Sequence, residues 1–127
     1  MKASVAFAVW IFLSLMAFKP FAAITGTTKS CSELAQKAKK EKVRISGYMS
    51  GRKVVGRGRA YFYAAPSASC RMKNTFVIPN DEVQAYADVE GYTEVTYWDA
   101  KGNDVTGWIP NSRLVETGTG IGPRYEQ

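Results

Sequence analysis

The sequence predicts a mostly β protein: a small barrel preceded by one N-terminal helix, after a cleaved signal peptide. Three observations lead to this fold class. Apolar and polar residues alternate with a period of two through most of the second half of the chain. Glycine, proline and asparagine interrupt this alternation at close intervals, which is typical of short strands joined by tight turns. Helical spacing of apolar residues in the mature part is confined to residues 30–42.

The chain opens with the features of a secretory signal peptide, which we assign to residues 1–23. Lys2 supplies the positive charge, an apolar run follows from Val5 to Phe18, and small residues come next. The apolar run is shorter than a membrane span, which favours a cleaved signal over an uncleaved anchor. We therefore expect a periplasmic or secreted protein with no stable membrane anchor. Its mature chain of about 100 residues fits one domain.

The mature chain divides into three predicted segments. Residues 24–57 hold the helix and the first strands, residues 58–116 form the barrel, and residues 117–127 form a mobile tail. Ser30 is the expected N-cap of the helix, because Glu33 follows it in the capping-box pattern. The lysines of this helix are interpreted as a solvated face, with a dedicated anion site as the alternative.

Strands and turns follow the helix in close succession. The period-two alternation predicts short strands at residues 43–49, 54–55, 59–64, 75–78, 83–89, 93–98 and 105–109. Polar and turn-forming residues predict turns or loops at residues 50–53, 56–58, 66–74, 79–81, 91 and 99–104. A single 3₁₀ turn is expected at residues 111–114.

Two cysteines, Cys31 and Cys70, lie in the mature part of the chain. An even number of cysteines in an oxidising compartment predicts a disulfide between them. Two free thiols or a metal site are the alternatives, but a closed tetrahedral zinc site lacks ligands when the chain has no histidine. In the chain-entropy view, such a bond stabilises the fold by about 4 kcal/mol. We expect no metal and no cofactor.

The mature chain is basic. Once Lys2 and Lys19 are removed with the signal peptide, 15 of the 17 lysines and arginines remain against 11 acidic residues. Most of these cations lie between Lys29 and Arg59. No nucleic-acid partner is expected outside the cytoplasm, whereas cell-wall carboxylates, anionic headgroups or an acidic protein fit the charge.

Four phrases between Gly58 and Val115 resemble the bacterial SH3-like (SH3b) domain family. Residues 60–67 resemble its opening strand, which ends in a small residue, proline and serine, and residues 77–83 resemble its turn, with Asn80 where glycine is usual. Residues 91–97 match its glycine-aromatic strand. Residues 107–114 match its closing glycine-tryptophan strand and the leucine after it, which is the most specific of the four.

The resemblance implies an SH3-like barrel, and in this family the domain often binds peptidoglycan as a targeting module attached to a hydrolase. We expect a single-domain secreted member of the family, without an attached hydrolase. The family's Arg-Ser-Gly before the proline is replaced by Tyr63, Ala64 and Ala65. We therefore do not carry the family's ligand contacts over to this chain.

Enzymatic functions fit the sequence poorly. The absence of histidine removes Ser-His, Cys-His and most metal-based mechanisms. A carboxylate pair for glycoside hydrolysis is the remaining alternative, drawn from Asp81, Glu82, Asp88, Glu90 and Glu94. Each of these stands beside a turn or at an outward strand position, where a solvated carboxylate is the usual explanation. We expect no catalytic residue and no enzyme.

Aromatic and basic residues at outward positions indicate a binding surface instead. The candidate binding residues are Arg52, Lys53, Arg57, Arg59, Tyr61, Tyr63, Tyr92, Trp98 and Trp108. Tyr61 and Tyr63 rank first, because the alternation places them on the same polar face as Arg59. For the two tryptophans, burial under loops is an equally open alternative.

Two functions follow from these observations. The first is a non-catalytic periplasmic or secreted module that binds peptidoglycan or other envelope material. The second is an immunity or inhibitor protein that binds and neutralises a secreted toxin or wall hydrolase. A small, basic, disulfide-linked domain without catalytic groups suits both, and the sequence does not separate them.

Overall fold

The computed structural model describes residues 29–121. This part of the chain is mostly β, with a curled half-barrel sheet and one α-helix. The signal peptide expected at residues 1–23 lies outside the described residues. No helix among residues 29–121 combines the length and hydropathy that crossing a membrane requires. The disulfide described below is compatible with a secreted or periplasmic protein.

Helix α1 spans Cys31–Glu41, as the sequence predicted. The backbone N–H of Glu33 donates to the Ser30 side chain at 3.2 Å, which confirms the expected N-cap. At the other end the Lys42 N–H donates to the carbonyl oxygen of Ala38. Ala38 is the buried residue of the helix, so the apolar side of α1 faces the sheet.

Eight strands form one sheet, and every described pairing is antiparallel. The strands are β1 Val43–Arg44, β2 Gly51–Val54, β3 Ala60–Tyr63, β4 Arg71–Val77, β5 Glu82–Val89, β6 Tyr92–Trp98, β7 Asp104–Pro110 and β8 Leu114–Glu116. The strand order is β4-β3-β7-β6-β5-β2-β8, and β1 pairs with β5. Short 3₁₀ turns occupy Gly47–Met49, Ala68–Cys70 and Asn111–Arg113.

Three segments differ from the sequence-based prediction. The strand expected at residues 43–49 is reduced to β1, and residues 50–53, expected to turn, belong largely to β2. The polar loop expected at residues 66–74 ends early, because β4 begins at Arg71. In β2 and in the first part of β4, polar residues led to the prediction of a turn and a loop where the structure has strands. Arg52 occupies a buried sheet position, and β4 carries its polar residues across an irregularity where Asn74 has a φ of 54°.

The main core lies inside the curled sheet. Its buried side chains are Val54, Ala60, Phe62, Val77, Val83, Ala85, Val95 and Ile109. Gly107 allows β7 to approach β3 closely, because a Cβ there would lie 3.0 Å from Cδ1 of Phe62 and 3.2 Å from the Tyr63 carbonyl oxygen. A residue with a Cβ at this position would require Phe62 or the β3 backbone to shift by a few tenths of an ångström.

A second, smaller core lies on the other side of the sheet, under the helix. Ala38 of α1, Val89 of β5 and Trp108 of β7 form it, and Tyr63 and Tyr92 pack against them. Trp108 and Ile109 are neighbours in β7 and therefore point to opposite sides. The sheet is thus covered on one side by its own curl and on the other by α1.

A bulge in β5 allows this one strand to contribute to both cores. Ala85 lies opposite Val95, but Ala87 lies opposite Glu94, so Tyr86 is an extra residue in the ladder. Directly opposed residues share a face of the sheet, and the strand therefore changes face at the bulge. Ala85 packs in the main core, whereas the residues beyond the bulge turn towards α1.

The turn before β5 behaves as the sequence indicated. Asn80 adopts a φ of 76°, the left-handed conformation that glycine usually supplies. The Asn80 N–H donates to the carbonyl oxygen of Val54, and the Val54 N–H donates to that of Asp81. The asparagine therefore preserves the turn without glycine.

The first residues of the predicted tail lie along β2. The Thr117 N–H donates to the Gly51 carbonyl oxygen at 3.2 Å, and the Gly51 N–H donates to that of Thr119 at 2.8 Å. The path of residues 117–119 is therefore set by backbone hydrogen bonds. Residues 122–127 lie outside the described part, so the mobility expected for the tail stays a prediction.

Candidate binding surface

Two arginines flank a pair of aromatic rings on the outer face of the β3–β4 hairpin. The Arg59 guanidinium carbon lies 4.2 Å from the centroid of the Phe76 ring, and the Phe76 ring meets the Tyr61 ring edge to face at 5.9 Å. The Arg71 guanidinium carbon lies 4.7 Å from the Tyr61 centroid. We call this row of Arg59, Phe76, Tyr61 and Arg71 the arginine–aromatic ladder.

Strand pairing explains how the ladder forms. Tyr61 of β3 lies directly opposite Phe76 of β4, which brings the two rings together on one face. Beyond this pair the register is irregular. Tyr63 lies opposite Arg71, and not opposite the residue of β4 that regular pairing with Phe76 would select. Extra residues in β4 thereby bring the Arg71 guanidinium back over the Tyr61 ring.

The ladder presents positive charge in a fixed geometry. A guanidinium that stacks on a ring keeps its N–H edge available to a carboxylate or phosphate. Among residues 29–121, neither Arg59 nor Arg71 takes part in a salt bridge. Their guanidinium groups also donate no hydrogen bond to another residue of this range, so both side chains combine a stacked face with donors that the described part of the chain does not use.

A single side chain anchors the loop that leads into the ladder. Arg113 donates from Nε to the carbonyl oxygen of Val55 at 2.7 Å and from its terminal nitrogens to those of Gly58 and Arg59. Arg57 lies in the same loop with an exposed side chain. Arg113, which precedes β8, therefore fixes the loop that carries Arg57 and Arg59, two of the predicted basic residues.

Three predicted aromatic residues lie under the helix and outside the arginine–aromatic ladder. Trp108 is only 4% exposed, and the rings of Tyr63 and Tyr92 meet edge to face at 5.3 Å. Burial, with a smaller effect from Tyr63, raises the pKa of Tyr92 above its ordinary value. These side chains build the second core, so for Trp108 the alternative of burial is the one observed.

The remaining predicted residues are dispersed. Trp98 is 47% exposed at the end of β6, opposite Asp104 and away from the end of the sheet that carries Tyr61. Lys53 is exposed on β2, which three strands separate from β3 in the sheet order. The structure thus brings together Arg59 and Tyr61, with Arg57 in the adjoining loop, but not Trp98 or Lys53.

Arg52 is used inside the fold. It is 8% exposed, and its guanidinium donates to the carbonyl oxygens of Met49 and Gly51 at 2.6 and 3.0 Å. A second terminal nitrogen lies 3.7 Å from a carboxylate oxygen of Glu116. This arginine ties β2 to β8, and it does not contribute to an outward basic rim.

Sequence reasoning missed half of the ladder. Phe76 falls inside a predicted strand, and its position just before the buried Val77 marks it as outward-facing. Arg71 was assigned to a loop, and only the irregular register of β4 places it over Tyr61. Alternation was a sufficient signal for Phe76, whereas no local signal identifies Arg71.

A cleft lies between α1 and the sheet, next to the second core. Its volume is about 310 Å³, and the residues that define its walls include Ala35, Lys39, Met72, Glu94, Thr106 and Trp108. Glu94 also borders a neighbouring cleft of about 260 Å³ with Lys42 and Arg44. We call the first of these the helix cleft.

Three of the five carboxylates considered for catalysis make contacts within the fold. Asp81 accepts a hydrogen bond from the Ile78 N–H in the turn before β5, Asp88 accepts one from the Thr93 hydroxyl, and Glu94 pairs with Lys42. Among residues 29–121, no group of three or more His, Cys, Asp or Glu side chains converges in the way that a metal ion requires.

The predicted disulfide between Cys31 and Cys70 is present. It links the first residue of α1 to the end of the 3₁₀ turn before β4, and Cys70 is 4% exposed. The bond therefore fastens the helix beside the hairpin that carries the ladder. Comparisons with protein-family models, with curated proteins and with solved structures find no match to this chain.

Proposed function

We propose that this protein is a non-catalytic periplasmic or secreted binding module with an SH3-like barrel. Its ligand in this proposal is peptidoglycan or other envelope material, held by the arginine–aromatic ladder. The single observation that carries the proposal is the ladder itself, in which Arg59 and Arg71 stack on Phe76 and Tyr61 and keep unused donors.

The positions of the four family-like phrases support the SH3-like barrel. Residues 60–67 begin with β3, residues 77–83 form the turn before β5, and residues 91–97 cover most of β6. Residues 107–114 contain the end of β7 and the 3₁₀ turn before β8, with Gly107 at its close contact with β3. Each phrase therefore serves a structural purpose in one curled sheet.

The chemistry of the ladder favours an anionic ligand with a flat or apolar part. A guanidinium binds a carboxylate through two parallel N–H donors, and this pairing is stronger than one between neutral groups. The exposed ring faces beside the guanidinium groups add apolar contact area. Wall peptides carry carboxylates, and their anionic charge also matches the basic character of this chain.

Retention of the protein on purified sacculi tests the proposal. We expect the wild type to co-sediment with sacculi and the double variant R59Q/R71Q to lose at least about tenfold in affinity, since each charge-assisted hydrogen bond contributes about 1.5–3 kcal/mol. K101Q is the matched control, because Lys101 is an exposed cation in the β6–β7 loop. Equal retention of R59Q/R71Q and wild type contradicts the proposal, as does no retention of the wild type.

A second candidate function is an immunity or inhibitor protein that neutralises a secreted toxin or wall hydrolase. The observation that favours it is the position of β4, which carries Arg71 and Phe76 and ends the strand order. An end strand offers backbone groups to a partner strand as well as side chains. A wild type that ignores sacculi but forms a stable complex with a wall hydrolase, lost in R59Q/R71Q, would support this second function.

A further inference from the structure

We propose that the helix cleft is a second binding site and that it takes a small zwitterion, namely a short peptide with a free amino group, a free carboxylate and small apolar side chains. The site is separate from the arginine–aromatic ladder, because none of the four ladder residues lines it. The inference therefore does not rest on the function proposed above.

The size of the cleft limits the ligand. Its volume of about 310 Å³ is at the lower end of the range of about 300–1,000 Å³ that is usual for ligand sites. The wall from α1 contributes Ala35, a short side chain that leaves the space open, while Met72 and the small exposed edge of Trp108 supply apolar surface from the sheet side. A dipeptide suits this space better than a glycan strand or a folded partner.

Glu94 supplies the acceptor for an ammonium group. Its side chain is 19% exposed, so its carboxylate is partly removed from water. The nearest cation is the Lys42 ammonium, 3.6 Å away, which is longer than an ordinary hydrogen bond. Because a carboxylate has about four acceptor positions, Glu94 retains capacity for a second ammonium from the side of the helix cleft.

Lys39 supplies the opposite charge. It lies in the last turn of α1 and lines the same cleft as Glu94. Among residues 29–121 it takes part in no salt bridge, in contrast to Lys37 and Lys42. The ligand therefore lies across the cleft, with its carboxylate at the Lys39 ammonium and its own ammonium at the Glu94 carboxylate. Its small side chains then pack against Trp108.

Titration with three dipeptides tests the charge requirement. The purified protein is followed by NMR while L-alanyl-L-alanine, its N-acetyl form or its C-terminal amide is added. We expect saturable shifts of the Trp108 indole and the Thr106 amide signals with the zwitterion, and at least about tenfold weaker binding of each capped form. No saturable shift with the zwitterion overturns the proposal, and so does equal affinity for all three.

Four variants test the residues. E94Q and K39Q should each weaken binding of the zwitterion about tenfold, whereas K40Q, next to Lys39 but outside the cleft lining, should bind as the wild type does. K42Q removes the existing partner of Glu94 and should keep most of the affinity. If K42Q and E94Q lose binding equally, the carboxylate acts only by holding the helix and the proposal fails. Unchanged thermal midpoints identify variants that keep the fold.

Discussion

Arg113 Nε lies 2.7 Å from the carbonyl oxygen of Val55, a residue 58 positions earlier in the chain. The same guanidinium also reaches the carbonyl oxygens of Gly58 and Arg59, so one planar fork holds three backbone acceptors. The turn before β8 is thereby attached to the loop before β3. The geometry depends on the fork as much as on the charge, because an ammonium cannot span three carbonyls in the same plane.

Replacing this fork should loosen the loop that leads to the ladder. We expect R113K to lower the free energy of unfolding by about 1.5–3 kcal/mol, since it removes charge-assisted hydrogen bonds while keeping the charge. Urea unfolding measures the change. The control is R57K, because Arg57 is exposed in the same loop and its replacement should have little effect. Equal stabilities of R113K and R57K would show that the fork does not hold the loop.

The disulfide should be a major contribution to stability. Cys31 and Cys70 are 39 residues apart, and closing a loop of that length stabilises the fold by about 4 kcal/mol in the chain-entropy view. The C31A/C70A variant should therefore show a much lower urea midpoint than the oxidised protein. A mass measurement after alkylation without reductant should find no modified thiol in the native protein. Two alkylated thiols would contradict the link between α1 and the hairpin.

The phenol of Tyr92 should ionise at a higher pH than its ordinary pKa implies. Burial under α1, with a smaller effect from Tyr63, raises its pKa above the ordinary value of 10.0. Folding therefore favours the neutral phenol. This contribution to stability is fully present below pH 10 and is lost as the pH rises through the higher pKa of the folded state.

An ultraviolet titration of tyrosinate tests this expectation. The wild type should show one late-titrating tyrosine that is absent from Y92F. The Y63F variant serves as the matched comparison, because it removes the neighbouring phenol and should bring the pKa of Tyr92 part of the way back. If Y92F and the wild type titrate with the same late component, Tyr92 is not its source.

The left-handed conformation of Asn80 gives a further prediction. Glycine accepts this conformation at no steric cost and a β-branched residue does not, so N80G should retain the stability of the wild type while N80V should lose about 1–2 kcal/mol. Thermal unfolding compares the two variants. An N80V protein as stable as N80G would mean that the turn before β5 can form without a positive φ.

The features predicted well from the sequence were those set by near neighbours. The capping residue Ser30 placed the start of α1, and alternation placed the outward side of Tyr61 and the buried side of Phe62. Cys31 and Cys70 were paired correctly because the chain has no other cysteine. In each case a short pattern or a simple count carried the information.

The features missed depend on contacts between distant segments. Arg52 has a charged side chain and is nevertheless buried in β2, because Glu116 and nearby carbonyl groups satisfy its guanidinium. The ladder needs the irregular pairing of β3 with β4, which brings Arg71 to Tyr61. Trp108 faces α1, and its burial depends on the packing of that helix against the sheet. Periodicity along one strand contains none of this information.

At the bulge formed by Tyr86, the small apolar side chains of β5 change from one side of the sheet to the other. If all residues of β5 paired regularly, without a bulge, Ala87 and Val89 would point to the inside of the curl, and Ala38 and Trp108 would lose a partner. The pairing register of β5 with β6, more than the identity of its residues, therefore decides on which side a helix can dock. Deleting Tyr86 would leave Ala87 opposite Glu94 and Val89 under α1, because the shortened strand would then pair regularly with β6.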